Sequence, residues 1–338
     1  AERELEVIAQ VTPEQVGEIR AFLERCPIQV GLAATTQIFY IEVLAFGGDG
    51  SNSEVAISGF HTNVIRKRRN GQLLLQREEA AERESPCDEK SLLSIEGALE
   101  FADTVELDDV RALVQRQIDY NYAIAQEGLR GNYGANIGSV LLKHDGDDVK
   151  VRAKAYAAAG SDARMNGCEL PVVIVSGSGN QGITSSVPVV VYAKELGVSE
   201  EKMLRAVVLS DLITIHQKSG IGRLSAYCGA ISAGCGAGAG IAYLYGGGYE
   251  EIAHTVVNAL AVVSGVVCDG AKASCAAKIA AAVDAGILGY WMYREGNQFF
   301  GGDGIVSKGV ENTIRNVGRL AREGMKETDK EIIKIMLE

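Results

Sequence analysis

The sequence predicts an α+β protein, with a small mixed α/β domain at the N-terminus and a larger, mainly α-helical domain rich in Gly and Ala. Residues 28–76 look like strands, whereas helical spacing dominates from Ser91 onward. The length of 338 residues exceeds that of one average domain. We therefore place the small domain at residues 1–85 and the helical domain at residues 91–338, separated by a charged segment around Pro86.

The N-terminal elements follow from local patterns. Residues 14–25 have the spacing of a short amphipathic helix. Asn70-Gly71, which lies between two strand-like runs, predicts a type I′ hairpin turn because both residues tolerate positive φ. The basic run at 66–69 belongs to this hairpin and is followed by acidic residues, which favours a solvated strand edge over a nucleic-acid patch.

The remainder of the chain has helical signals. Ser94 is placed as an N-cap, and Asp108–Gln126 fits a helix of ordinary length. Residues 149–158 are expected to form a strand that runs into a helix. No charged residue occurs from Leu224 to Tyr249, but glycines such as Gly229, Gly234, Gly236, Gly238 and Gly240 dilute the apolar character of this stretch. Closely packed, buried helices are therefore favoured over a membrane span.

Composition excludes several classes of protein. The chain is 47% hydrophobic and 23% charged, which is ordinary for a folded globular protein. A net charge of -11 disfavours binding to nucleic acid or anionic lipid. The 7 cysteines are too sparse for a disulfide scaffold, so we expect reduced thiols, some of which bind metal. No stretch resembling a signal peptide is seen, and we expect a cytoplasmic location.

The segment SGSGNQGIT at 176–184 has the spelling GxGxxG. A dinucleotide site is disfavoured because Asp211 follows too late, and a phosphate loop because Ile183 stands in the lysine position. We favour an anion nest of successive backbone amides, with Ser185 and Ser186 capping the helix that follows. The candidate substrate-binding residues of this segment are Ser178, Gly179, Asn180 and Gln181.

Three cysteines attract attention by position. Cys268 and Cys275 are seven residues apart and would share one face if their segment were helical, while Cys228 lies 40 residues earlier. This spacing matches neither a zinc ribbon nor a ferredoxin, so on spacing alone buried free thiols are favoured. The other four carry no metal signature: Cys26, Cys87, Cys168 and Cys235.

Two further places offer polar side chains. Lys218 and Arg223 open the uncharged region, and as buried cations they need partners, either a substrate carboxylate or a structural salt bridge. His61 and Asn63, in the sequence His-Thr-Asn, supply neighbouring hydrogen-bonding groups, although a lone histidine is most often structural. The four histidines lack the spacing of a zinc hydrolase.

Several ordered segments together resemble the iron–sulfur L-cysteine desulfidase family, which is similar to the catalytic part of the iron–sulfur L-serine dehydratases. These segments are HTN (61–63), QEGL (126–129), SDARMNG (161–167), SGSGNQGITSSVPV (176–189), IGRLSAYCG (221–229), CDGAKASCAAK (268–278) and GGDGI (301–305). The resemblance implies a [4Fe-4S] cluster held by Cys228, Cys268 and Cys275. The N-terminal family motif A-L-G-C-T-E-P has no counterpart in this sequence, so a catalytic cysteine from it is not assigned.

The resemblance implies a lyase that converts L-cysteine into hydrogen sulfide, pyruvate and ammonia. Candidates for the base are His61 and Lys218, and Asn63 and Arg223 join the Gly-rich segment as candidate substrate contacts. The alternatives are L-serine dehydration, or a cluster-free small-molecule binding or structural protein. The expected partner is a small amino acid, with no nucleic acid or membrane, and the expected assembly is a homodimer.

Overall fold

The structure is a computed structural model that describes residues 11–37, 39–59, 62–77, 89–222 and 224–338. Its contacts divide the chain into two compact units, one of residues 1–80 with 331–338 and one of residues 81–330.

The first unit contains one helix and a four-stranded antiparallel sheet in the order β1-β2-β3-β4. Helix α1 begins after Thr12, whose hydroxyl accepts the N–H of Gln15 in a capping box. Asn70 and Gly71 have φ of 49° and 78°, as the predicted hairpin turn requires. The elements are α1 (Pro13–Arg25), β1 (Tyr40–Phe46), β2 (Asn52–Ser58), β3 (Val64–Arg69) and β4 (Gln72–Gln76).

The basic run at 66–69 lies on β3, which pairs with β2 on one side and β4 on the other, so the expectation of a strand edge is wrong. Arg66 forms ion pairs with Glu42 of β1 and Glu54 of β2. Arg68 also reaches Glu54, at 3.4 Å. Cross-strand carboxylates therefore neutralise part of this basic run.

The second unit is helical. Its helices are α2 (Ile95–Thr104), α3 (Leu107–Arg130), α4 (Ile137–Asp145), α5 (Val149–Met165), α6 (Gly179–Leu196), α7 (Glu200–Ile221), α8 (Gly229–Leu244), α9 (Tyr249–Val263), α10 (Cys275–Arg294), α11 (Val310–Arg319) and α12 (Lys326–Leu337), the last of which extends into residues of the first unit. A 3₁₀ turn at Glu89–Leu92 and a π-helical turn at Leu320–Gly324 complete the described elements. The α+β prediction is confirmed.

Two local predictions are wrong in this unit. Residues 149–158 form no strand, because Asp148 caps the first turn of α5 by accepting the N–H of Val151 at 2.8 Å. Ser185 and Ser186 do not cap a helix; both are buried inside α6, which already begins at Gly179.

Glycines allow α8 and α10 to approach backbone to backbone. A Cβ added at Gly238 of α8 would lie 2.6 Å from the carbonyl oxygen of Gly286 in α10. A side chain is excluded on both helices, since a Cβ at Gly286 would in turn overlap Gly234. This close crossing fixes the N-terminal ends of α8 and α10 relative to each other.

One described helix, α10, is long and apolar enough to pass a length-and-hydropathy test for a membrane span. Within the protein, 56% of the residues in that window are buried. The apolar helix α8 is shorter than the test requires.

Candidate functional site

A short antiparallel contact brings two of the predicted cysteines together. Tyr227 pairs with Val267 in an isolated β-bridge. The N–H of Cys228 donates to Val266 O at 3.2 Å, and the N–H of Cys268 donates to Ala226 O at 2.6 Å. Cys228 and Cys268 therefore lie on facing backbone segments at this bridge.

Gly270 links Cys275 to this pair. The Gly270 N–H donates to the sulfur of Cys268, and the Gly270 carbonyl oxygen lies 3.5 Å from Cys275 Sγ. The Lys272 N–H also donates to Cys275 Sγ at 3.5 Å. Gly270 has φ of 97°, a conformation that a side chain would strain, so glycine is required for this loop.

Helix starts provide the electrostatic setting of the thiols. Cys228 is the N-cap of α8, and Cys275 is the first residue of α10. Unpaired N–H groups and the positive end of the helix dipole favour anionic sulfur at such positions. Cys268 precedes α10, so the two later cysteines do not share a helix face; the intervening loop brings them together instead.

Cys228 and Cys268 shift each other's pKa in opposite directions. The side chain of Cys228 lowers the pKa of Cys268 to about 6, although burial opposes this effect. The neighbouring Cys268 and burial raise the pKa of Cys228 far above the usual range. Negative charge is therefore favoured on Cys268 over Cys228.

Two lysines act on the same sulfurs. Lys218, near the end of α7, is only 9% exposed. Burial lowers its pKa, while the neighbouring Cys268, Cys228 and Asp329 act in the opposite direction. Lys278 forms an ion pair with Asp269, and the neighbouring Cys228 and Cys275 help to raise its pKa. The thiols thus lie in a locally cationic part of an otherwise acidic protein.

The Gly-rich segment makes a tight turn and then starts α6. Val175 and Ser178 exchange backbone hydrogen bonds of 3.2 and 3.1 Å, and Ser176 and Gly177 have φ of 50° and 82°. Ser178 is the N-cap but makes no side-chain cap. Because Gly182 is the first residue whose N–H bonds back, to Ser178 O at 3.1 Å, the N–H groups of residues 179–181 have no acceptor among the described residues.

Gln181 connects this segment to the thiols. It is 6% exposed, and its Oε1 is buried without a hydrogen-bond partner. Its side-chain amide packs on the start of α8, where a Cβ at Gly229 would lie 2.7 Å from Gln181 Nε2. The predicted anion nest and Cys228 are therefore neighbours.

Arg164 is a site residue that the sequence analysis did not single out. It lies near the end of α5, and its Nη1 donates to Asn180 Oδ1 at 3.3 Å. The guanidinium rests against the first residue of α6, because a Cβ at Gly179 would lie 2.9 Å from Arg164 Cζ. Burial lowers the pKa of Arg164, while Cys275 acts in the opposite direction. The only signal in the sequence was its place in the SDARMNG segment.

Of the remaining predicted contacts, Asn63 lies among the described residues. Asn63 lies in the β2–β3 connection, where its side-chain amide donates to Ser58 O at 2.8 Å. His61 and Arg223 lie outside the described residues.

The donor set suits an iron–sulfur cluster better than a single metal ion. In the described part of the chain, no three Cys, His, Asp or Glu side chains are placed to hold one ion. In a cluster with three protein ligands, each thiolate binds a different iron, so the sulfurs need not converge on one point. Cys228 and Cys268 lie on facing segments of one β-bridge, and Cys275 Sγ lies 3.5 Å from the carbonyl oxygen of Gly270, two residues after Cys268, an arrangement compatible with ligands to separate irons.

The two large cavities found in the protein lie elsewhere. One, of about 520 Å³, is lined by His254, Tyr293 and Arg294, and the other, of about 570 Å³, by Arg111, Lys194 and neighbouring residues. Neither of these cavities is lined by a cysteine of the candidate site.

Comparison with known proteins shows the family of the chain. The sequence model described as serine dehydratase alpha chain matches residues 2–334. The chain is 60% identical over 333 residues to a UPF0597 protein of Desulfitobacterium hafniense (strain Y51), covering 98% of this chain and 77% of that relative. It is 52% identical over 337 residues to a UPF0597 protein of Lachnoclostridium phytofermentans, covering 100% and 80%. A UPF0597 protein of Treponema denticola is 43% identical over 344 residues, covering 100% and 79%. The chain belongs to the serine dehydratase alpha chain family.

Proposed function

We propose that the chain is an iron–sulfur lyase that eliminates hydrogen sulfide from L-cysteine. The substrate loses its α-proton and its thiol group as H₂S, which leaves 2-aminoacrylate. Addition of water to this product gives pyruvate and ammonia, so all atoms are accounted for. The observation that supports the proposal most strongly is the β-bridge that brings Cys228 and Cys268 onto facing segments, with Cys228 and Cys275 at the starts of two helices.

The residues that would hold a [4Fe-4S] cluster are Cys228, Cys268 and Cys275. With three protein ligands, the cluster supplies one iron free to act as a Lewis acid toward the leaving group. The chain supplies the surroundings. Helix starts and lysines stabilise negative charge on the protein sulfurs and on the departing sulfide.

Lys218 is the described candidate for the base. Its burial favours the neutral amine, which is the form that accepts the α-proton. The nearby negative sulfurs would then stabilise the ammonium that forms. His61 remains the other candidate, and its place lies outside the described residues.

A second candidate reaction is L-serine dehydration, which the description of the matching family favours. It uses the same α-proton and differs only in losing water in place of H₂S. A third is a cluster-free binding or structural protein, which would have no use for a thiolate at Cys268. The homodimer, the cytoplasmic location and the absence of nucleic-acid or membrane binding stay predictions.

Anaerobic reconstitution with iron and sulfide, followed by assays on L-cysteine and L-serine, tests these candidates. We expect a coloured protein that releases sulfide and pyruvate from L-cysteine faster than pyruvate from L-serine. Faster serine turnover would replace our proposal by the second candidate, and a colourless, inactive protein would favour the third.

Cysteine variants assign the site within the same assay. Cys228→Ala, Cys268→Ala and Cys275→Ala should each abolish turnover. Cys235→Ala is the matched control, since Cys235 lies on α8 with Cys228 but is fully buried in the core. Equal loss in the control variant would contradict the ligand assignment.

A further inference from the structure

Arg164 lacks the carboxylate partner that several partly buried cations of the helical unit have. Arg152 pairs with Glu195, Lys154 with Asp145, and Lys278 with Asp269. Within the described ranges, Arg164 has no carboxylate in ion-pair distance, and its hydrogen bond goes to the neutral side chain of Asn180. A partly buried guanidinium is costly unless an anion accompanies it.

The position of Arg164 adds to this cost. The guanidinium lies against the first turn of α6, and the positive end of a helix dipole repels a cation. The N–H groups of residues 179–181 at the same place also have no acceptor among the described residues. The guanidinium and these N–H groups therefore both lack a partner that accepts hydrogen bonds, and a single anion could bind all of them.

An independent observation indicates that a ligand enters here. The side chain of Gln181 is more than nine-tenths buried, yet its Oε1 has no hydrogen-bond partner. It lies between the start of α6 and Gly229, next to Cys228. Buried polar atoms are normally paired, so an unpaired one beside free N–H groups is explained by a missing polar ligand. Its oxygen would accept a hydrogen bond from an ammonium group.

We propose that Arg164 binds the α-carboxylate of the amino-acid substrate, together with the free N–H groups of residues 179–181, while Gln181 Oε1 accepts its α-ammonium. The identity of the acid rests on the proposed function, whereas the presence of an anion does not. This assignment replaces Lys218 and Arg223 as carboxylate ligands. Lys218 then keeps its place beside the sulfurs.

Isothermal titration calorimetry on the anaerobically reconstituted protein tests the proposal. L-alanine is the probe because it has the carboxylate and ammonium of the substrate but no leaving group, and L-alaninamide is the comparison because it lacks the carboxylate. Arg164→Gln should weaken L-alanine binding by about 10- to 100-fold and leave the weaker binding of L-alaninamide unchanged. Arg164→Lys should lie between wild type and Arg164→Gln, since lysine keeps the charge but not the fork.

Arg152→Gln is the matched control, because Arg152 is another arginine of α5 with its own acidic partner, Glu195. It should bind L-alanine like the wild type. The proposal is overturned if Arg164→Gln binds L-alanine as tightly as Arg152→Gln does, if Arg164→Lys and Arg164→Gln lose both probes equally, or if the wild type does not prefer L-alanine to L-alaninamide.

The same variants separate this inference from the proposed function. If L-alanine binds through Arg164 but neither L-cysteine nor L-serine is turned over, the lyase proposal fails and the anion site stands. If turnover occurs and Arg164→Gln leaves KM for L-cysteine unchanged, the anion site fails and the lyase stands. A rise in KM of about 10-fold or more, with a smaller change in kcat, supports both.

Discussion

Replacing Gly238 by Ala tests the helix crossing that holds the candidate site together. The new Cβ would lie 2.6 Å from the carbonyl oxygen of Gly286, whereas a relaxed carbon–oxygen contact is about 3.3 Å or more. The obstacle is backbone, so no side-chain rotation relieves it, and α8 and α10 must separate by roughly 0.7 Å.

The expected loss of stability follows from two opposing effects. Overpacking of this kind costs about 1–3 kcal/mol, and Ala in place of a helical Gly returns about 1 kcal/mol. We therefore expect Gly238→Ala to lower the free energy of unfolding by up to about 2 kcal/mol, with a fall in Tm of up to about 8 °C. Because Cys228 and Cys275 begin these two helices, iron uptake should fall as well.

Thermal and urea unfolding, followed by circular dichroism, measure this loss. Gly220→Ala is the matched control: it is also helical, but its Cβ would meet only the Cα of Gly318, at 3.7 Å. That variant should melt at or slightly above the wild-type temperature. A Gly238→Ala protein that is as stable as Gly220→Ala would refute the argument that backbone contact requires glycine here.

Three further substitutions test local parts of the structure. Burial raises the pKa of Asp211 to about 6 from 3.8, so the free energy of unfolding falls as pH rises through that range. Asp211→Asn should remove at most about 3 kcal/mol of this fall. Equal pH dependence of urea unfolding in the variant and the wild type would contradict this prediction. Glu311 accepts a backbone N–H of α2 at 2.8 Å and pairs with His216 at 2.7 Å. Glu311→Ala should therefore lower the free energy of unfolding, measured in urea at neutral pH, by about 1–3 kcal/mol. A loss no larger than that of Glu323→Ala, at an exposed position, would contradict this prediction. Gly270→Ala places a residue with a Cβ at a φ of 97° and should lower the free energy of unfolding by about 1–3 kcal/mol. The variant should also bind less iron after reconstitution. Unchanged iron content would show that this loop does not position the cysteines.

Local signals in the sequence were sufficient where the structure depends on local contacts. The cap at Ser94 accepts the Gly97 N–H at 3.0 Å, as its residue type predicts. The Asn70-Gly71 turn likewise needs only the φ preferences of its two residues. The resemblance drew attention to Cys228, Cys268 and Cys275, which the structure brings into one neighbourhood.

Features that depend on tertiary packing were missed or misplaced. The alternation of residue types in 149–158 suggested a strand. Because its small Ala side chains allow α5 to be buried on most of its faces, its apolar residues do not recur with the usual helical period. Beyond its place in the SDARMNG segment, nothing in the sequence marked Arg164 as a site residue. Its neighbours, residues 179–180 and Cys275, are distant in sequence. The cysteines meet through a β-bridge and a glycine turn, and cysteine spacing reports neither.

Native mass spectrometry of the anaerobically reconstituted protein tests the central claim most directly. We expect a mass increase equal to one cluster of four irons and four sulfides in the wild type and in Cys235→Ala. The increase should be absent from Cys228→Ala, Cys268→Ala and Cys275→Ala. A cluster retained in all three variants, or lost equally from Cys235→Ala, would show that these thiols do not hold it.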